Sequence, residues 1–495
     1  MKPLLRTFSI AAALCFSANV TNADEKGVNP KVREIVDAVS EARIQAIIEK
    51  LASFGTRNTM SAQDDPARGA GAARQWIFDQ LKSYNPRLEV RFDKWKVKKQ
   101  GQRIFKDVDL WNVVAVLPGK TMPETQVWVT GHYDSLNLGA PAGPSTDEAP
   151  AAVGERPVQS NWEKNTDLPA PGACDDASGT AAVMELARVM SQYEFDKTLV
   201  FVAFAGEEQG LIGSTLAAAK AKKDAAVVEA VLNNDIIGSE SGGDGRVGNT
   251  AVSVYTDEIM DSPSQQLGRF IREAGERYVP SMKVNMLFMQ DRLGRGGDHA
   301  PFQLEGYAAV RFSSSFENYT NQHSATDTLA NMSVPLTARI AKVNAAAAAS
   351  LALAPKAPLV TAAPRAAAGT GANAANAGAN TGAANAPANP PANAAPRVPT
   401  PTISRGQSRY DALLRWRYAG PDANLKGFAI VVRPTTSAYW EREIFVGKVN
   451  EYTLKGVSID DARFGVKAIG ADGAESLVTP YVYPARRKTE IQVVE

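Results

Sequence analysis

The chain contains three histidines, and each stands close to an aspartate: His132 near Asp134, His299 beside Asp298 and His323 near Asp327. In an extended segment residues i and i+2 project to the same side. Asp134 is therefore placed to hydrogen-bond the ring of His132 and fix its tautomer, an arrangement common behind metal-binding imidazoles. His132, Asp175, Glu208, Asp235 and His323 all fall where a predicted strand meets a loop of one sheet. Ligands of open α/β sheets collect at the carboxyl ends of the strands. A lone histidine near a strand end is more often a satisfied polar residue, but five such coincidences fit that reading poorly. Five nitrogen and oxygen donors without a thiolate suit Zn²⁺ or a similar divalent ion in an open, catalytic site. With one bridging carboxylate they would hold two ions about 3.5 Å apart, each with three protein contacts and room for a shared hydroxide.

These residues need a sheet to position them. Thr198–Phe204, a continuous apolar run rich in β-branched and aromatic residues, reads as a strand buried on both faces, and Gly206 closes it before Glu207 and Glu208. Leu88–Phe92, Trp111–Leu117 and Gln126–Thr130 read as further strands, the last running into Gly131-His132-Tyr133-Asp134. Apolar residues at helical spacing predict one or two helices over Lys31–Phe54 and others over Ala67–Tyr84, Gly179–Met190, Lys220–Ala230, Ser264–Tyr278 and Leu336–Leu353. Val231–Gly238 and Tyr307–Phe312 read as short strands, and Leu136–Gly172, rich in Pro, Gly and Ala, as a long loop of the functional or mobile kind.

Composition bounds the remainder. The 495 residues exceed one ordinary domain, and 44% hydrophobic content suffices for a large core. A formal net charge of +1 gives no case for nucleic acid or an anionic membrane surface. Residues 1–23 carry the charged, apolar and small-residue zones of a secretory signal, so cleavage after Ala23 and a secreted or periplasmic location are expected. No run reaches spanning length, so an integral membrane protein is not expected. Cys15 lies in that leader, leaving Cys174 with no intrachain disulfide partner. Over residues 354–403, Ala, Pro, Asn, Gly and Thr dominate, the composition of a disordered linker. Residues 404–495 alternate as short strands, the pattern of an all-β sandwich, and resemble a fibronectin type III module with Trp416 in its core. Such a module could bind a polymer or a cell surface. Every candidate site residue precedes Ala354, and a flexible linker cannot hold a distant module over a site, so the tail is expected to be dispensable for the chemistry.

Taken in order, His132-Tyr-Asp134-Ser, Asp175-Asp-Ala-Ser-Gly, Gly206-Glu207-Glu208-Gln-Gly-Leu-Ile-Gly-Ser214, Asn234-Asp235, Gly297-Asp298-His299-Ala-Pro-Phe302 and His323 resemble the exported di-zinc metallopeptidases that include bacterial leucyl aminopeptidases and glutamate carboxypeptidase. The likeness spans about Lys31 to Leu353. It implies an α/β fold with a mixed, largely parallel sheet flanked by helices, of the phosphorylase/hydrolase-like kind. It further implies that His132 and Asp235 hold one zinc, that Glu208 and His323 hold the other, and that Asp175 bridges them. Glu207 then matches the general base and Asp134 the partner of His132. Asp176 follows the bridge through a strained peptide or caps the next helix. Two departures stand out. Gln322 occupies the place before the last ligand where many members carry Tyr or Phe, and Gly297 replaces Ser in the Ser-Asp-His motif, with His299 read as structural.

The implied activity is a zinc exopeptidase acting on peptides, an aminopeptidase first. The alternatives are a carboxypeptidase of the same fold, a glutaminyl-cyclase-like transferase using one zinc, and a non-catalytic binding protein. The complete ligand set favours hydrolysis, and the intact Glu207 argues against mere binding.

Overall fold

A computed structural model describes residues 27–139, 162–361 and 402–483, apart from 407 and 409. The leader at 1–23, most of the loop at 136–172, the linker from 362 to 401 and the last residues of the tail lie outside this set. Three helices, α1 (Pro30–Asp37), α2 (Glu41–Ala52) and α3 (Gly69–Tyr84), precede strands β1 (Glu89–Val97), β2 (Val108–Leu117) and β3 (Met122–His132). Ser40 separates α1 from α2 because its hydroxyl accepts from the Arg43 amide, an N-cap that starts a second helix within one run of helical periodicity. There follow α4 (Trp162–Asn165), α5 (Ser178–Met190), β4 (Lys197–Phe204), α6 (Ile212–Lys223), β5 (Val227–Asn234), β6 (Ala251–Tyr255), α7 (Pro263–Tyr278), β7 (Lys283–Leu287), α8 (Ala300–Leu304), β8 (Ala309–Ser314) and α9 (Val334–Leu353).

Strands β1 to β8 form one mixed sheet in the order β1-β2-β4-β3-β5-β8-β6-β7. The β3-β4, β3-β5, β5-β8 and β6-β7 pairs are parallel. Alternate side chains of the central strands enter two cores. Val127, Val129, Leu199, Phe201 and Ala203 pack under α2, α5 and α9, while Trp128, Val200, Val202 and Phe204 pack against α6 and Phe302 of α8. Every residue of β4 is buried, as its unbroken apolar run requires. The chain passes from β3 to β4 on one side and then to β5 on the other. The switch point of the sheet is thus the carboxyl end of β3, where His132 stands level with Phe204 of β4.

The helix predicted over Lys220–Ala230 is a correction. Helix α6 ends at Lys223, Ala225 takes a left-handed φ of 51°, and Val227–Asn234 is a full strand. The Ala-rich stretch has little apolar contrast to mark its helical face, and the β-branched pair Val227-Val228 decides the next element. Strands β6 and β7 were not legible because each is five residues long.

The tail contains β9 (Leu359–Val360), β10 (Ser404–Arg405), β11 (Asp411–Arg417), β12 (Leu425–Pro434), β13 (Arg442–Gly447), β14 (Glu451–Lys455), β15 (Ala462–Gly470) and β16 (Thr479–Pro480). They make two antiparallel sheets around a core containing Trp416, Phe428, Ile430 and Phe464. Residues 354–361, assigned to the linker on composition, instead lead into the sandwich, where Leu359 and Val360 pair with Arg417 and Trp416. The ordering comes from β11, whose edge supplies the partners that the local sequence lacks. Nor does the module depend on its linker for placement. Asp261, just before α7, accepts from Arg433 Nη2 at 2.8 Å and pairs with Arg269 Nη1 at 3.3 Å. Arg269 Nε donates to the Ala438 carbonyl, and both guanidiniums lie close to the Trp440 ring, 5.7 Å from its centre for Arg269 and 5.5 Å for Arg433. Both arginines are buried. Removing one partner of a buried ion pair typically costs about 3–5 kcal/mol. Asp261→Ala, which strips both arginines of their shared carboxylate, is therefore expected to lower the melting temperature measured by calorimetry; an unchanged transition would show that this docking adds nothing to stability.

Candidate metal centre

Three parallel strands deliver the centre. His132 is the last residue of β3, Glu207 and Glu208 follow β4 and Asp235 follows β5. His323 comes from the loop after β8, and Asp175 from the turn that opens α5. Asp175 is central: its Oδ1 lies 3.2 Å from His132 Nε2 and its Oδ2 3.2 Å from His323 Nε2. Glu208 Oε2 is 3.2 Å from His323 Nε2, and Asp235 Oδ1 is 3.9 Å from His132 Nε2. The donors fall into two groups, His132, Glu207 and Asp235 on one side and Asp175, Glu208 and His323 on the other, with the ligand atoms of each within 4.8 Å of one another. Adjacent carboxylates thus leave β4 for opposite ends of the centre, as alternating projection demands.

The turn carrying Asp175 is held from several sides. The Asp175–Asp176 peptide is cis. Asp176 Oδ1 accepts from the Gly179 amide at 2.9 Å, capping α5, and from Ile236 N at 3.2 Å, while its Oδ2 accepts from His132 N at 3.2 Å. Asp176 therefore does more than cap the helix: it ties the ends of β3 and β5 to the same turn. Gly179 is needed there, because a Cβ would come within 2.4 Å of Asp176 Oδ2 and 2.3 Å of the Asn234 carbonyl. Asp327 accepts from the amides of Cys174 and Asp175 at 2.8 and 3.0 Å.

Asp134 has a similar double role. Its Oδ1 is 3.4 Å from His132 Nδ1, and its backbone carbonyl is 3.2 Å from the same nitrogen. The carboxylate also accepts from the Glu207 and Glu208 amides at 3.3 Å each and from Thr59 Oγ1 at 3.0 Å. The other two histidine–aspartate neighbours in sequence do not pair in this way. His299 Nε2 meets the Gln290 carbonyl at 2.8 Å, and Asp327 serves the backbone of the turn that carries Asp175. The Gln322 side-chain amide accepts from Arg295 at 3.1 Å and donates toward Glu317 at 3.4 Å.

Two buried arginines belong to the site without being singled out by sequence. Arg57 donates to the carbonyls of Tyr133, Pro171 and Gly172, bracing the approach to His132 and Asp175, and burial lowers its pKa to about 10. Arg311 grips Asp235 from β8. The signal for it was present: one cation inside the apolar run Tyr307–Phe312. Arg57, by contrast, sits in a polar stretch that gives no hint of its burial.

The electrostatics are those of crowded carboxylates. Burial, together with Glu208, Asp235 and Asp298, drives the Glu207 carboxyl well above its usual range. Asp298 is pushed up to about 7 by burial, with Asp134 and Asp235 adding to it. Despite burial, hydrogen bonds from His132 and His323 hold Asp175 well below the usual carboxylate range. Both imidazoles are raised well above theirs by the surrounding carboxylates, against the opposing effect of burial. Glu208 Oε1 is buried with no hydrogen-bond partner. A buried carboxylate oxygen in such company calls for a cation, and the nitrogen and oxygen donor set fits zinc.

Comparison with known proteins agrees with this chemistry. Residues 112–348 match Peptidase family M28. A probable zinc metalloprotease of Pyricularia oryzae is 36% identical over 477 residues, covering 89% of this chain and 82% of the relative. The chain belongs to peptidase family M28. A second relative, a probable zinc metalloprotease of Leptosphaeria maculans, is 31% identical, covering 92% of this chain and 96% of its own. Among solved structures, the Legionella pneumophila LapA aminopeptidase aligns at a TM-score of 0.49 and 18% identity, covering 71% of this chain and 80% of that one. As an M28 member the protein is a zinc metallopeptidase, and its two donor groups match the two zinc ions of the family.

Asp175 is the sole carboxylate with an oxygen toward each histidine of the two described groups, so its charge would offset the repulsion between two ions held there. Asp175→Asn keeps the shape and removes the charge, and is expected to retain at most one tightly held zinc by elemental analysis after dialysis. Two tightly held ions in that variant would show that Asp175 is not the bridge.

Proposed function

We propose that the protein is an exported aminopeptidase that removes N-terminal residues from peptides, with one zinc held by His132 and Asp235, a second by Glu208 and His323, and Asp175 shared between them. The observation that carries this reading is the placing of the two Asp175 oxygens, each 3.2 Å from a different histidine, with Glu207 alongside. Bound there, the ions would polarise a carbonyl and lower the pKa of water. The chain's own contribution is proton management and orientation. Glu207 is partly accessible and its raised pKa suits a group that must take a proton from water and return it to the leaving amine. Asp134 keeps Glu207 aimed through its backbone amide and keeps the Nδ1 side of His132 occupied, leaving Nε2 toward the ion.

The sign of the surroundings supports a substrate amine over a substrate carboxylate. Asp134, Asp176, Glu207 and Asp298 crowd the centre in addition to the carboxylates that would meet zinc, and Asp134, Asp176 and Asp298 are fully buried there. The nearby cations are engaged: Arg311 with Asp235 and Asp291, Arg292 with Asp291 and Glu317, Arg295 with Gln322. An excess of buried carboxylate favours a protonated α-amine. The three-zone leader supports export.

Two measurements test the proposal. Free aminoacyl amides should be cleaved and N-blocked ones spared, with activity lost to a chelator and restored by Zn²⁺. Preference for blocked peptides with a free carboxyl end would make it a carboxypeptidase, and release of ammonia from N-terminal glutamine would make it a cyclase. Glu207→Gln should lower kcat by about 10² to 10⁴ with zinc content near wild type, whereas Glu208→Gln should lose metal; the reverse pattern would exchange the two roles.

A further inference from the structure

Arg311 is fully buried in β8 and is held against Asp235: Nη2 donates to Oδ1 at 3.2 Å, and Nε lies 3.2 Å from Oδ2, at ion-pair distance without a hydrogen bond. Nη2 also lies 3.3 Å from the Asp235 carbonyl, so the grip includes the backbone. The guanidinium is itself fixed. Nη1 donates to Asp291 Oδ1 at 2.9 Å, Glu317 Oε1 lies 3.8 Å from Nη2, and Arg292 binds the same two carboxylates from the far side. Gly297 leaves the room this needs, for a Cβ there would stand 3.1 Å from Arg311 Cδ and 3.3 Å from Asp235 Oδ2.

A cation buried next to a pocket built for dications opposes them by charge alone. Its grip has the other effect, since an aspartate held at Oδ1 and at its own carbonyl, with the cation beside Oδ2, is kept from rotating away. The two ends of the centre differ in this respect. Asp235 lies farther from its histidine, at 3.9 Å, than Glu208 does from His323, at 3.2 Å, and Glu208 Oε1 has no partner at all. We propose that Arg311 is a positioning residue whose fixed guanidinium presents Asp235 to the metal, so that the ion at the His132–Asp235 end depends on Arg311 and the ion at the Glu208–His323 end does not. This rests on the ligand assignment proposed above.

The test is titration of the metal-free protein with Zn²⁺ against a competing chromophoric chelator, with circular dichroism and melting curves alongside. Arg311→Lys keeps the charge but loses the planar group that meets Asp235 and Asp291 at once. It is expected to bind one zinc as wild type does and to hold the second about 10- to 100-fold more weakly, the range typical for the loss of a group that orients a ligand. Wild-type affinity for both ions would overturn the proposal, as would equal weakening of both. Asp235→Asn checks the underlying assignment separately: if it keeps two tight ions, Asp235 is not a ligand. Should Arg311→Lys not fold, Gly297→Ala pushes on the Arg311–Asp235 pair without removing either member. It is expected to weaken the same single ion several-fold, and unchanged binding of both would count against the proposal.

Discussion

The constraint on which this molecule turns is the repulsion among carboxylates brought to one switch point. Glu207, Glu208 and Asp235 converge because β4 and β5 run parallel on either side of β3 and end together, and the turn that opens α5 brings Asp175 to them. Their charge would be intolerable in a dry interior unless paired. The sheet supplies part of the answer through backbone amides. Asp134 takes those of Glu207 and Glu208, Asp176 those of His132, Ile236 and Gly179, and Asp327 those of Cys174 and Asp175. The remaining charge is left for the zinc ions of an M28 enzyme. The same aspartates that neutralise loop amides thus hold the loops in register, so electrostatics and geometry are solved by one set of bonds.

Much of this was legible in the sequence. The candidate donors could be read because they sit in short, ordered motifs, although only His132, Glu208 and Asp235 stand at strand ends while Asp175 opens a helix and His323 lies well beyond β8, and the buried strand Thr198–Phe204 announced itself by its unbroken apolar run. The i, i+2 relation of His132 and Asp134 followed from strand geometry and is present. What escaped depends on tertiary contact. Asp327 looks like a neighbour of His323 but serves Asp175, whose turn lies far away in sequence. Arg57 is buried by five carbonyl and side-chain contacts that no local pattern encodes, among them the Ser135 hydroxyl bound by its amide. Helix α6 was misplaced because alanine-rich sequence carries almost no amphipathic signal.

The tail gives a different lesson. Composition located a break in the chain near Ala354, yet composition says nothing of what a module touches once folded. Here Arg433, Trp440 and Asp261 join the sandwich to the start of α7, and Leu359–Val360 are drawn into its sheet. Helix α7 lies on the core beside β7 and α9, which connects the docked module with the body that carries the centre.

The central claim is that Asp175 joins two zinc ions, one toward His132 and one toward His323. Anomalous diffraction at the zinc edge from crystals of the zinc-loaded protein tests it most directly. The account predicts two peaks about 3.5–4 Å apart, with one Asp175 oxygen on each. A single peak, or two peaks with both Asp175 oxygens on the same ion, would contradict it.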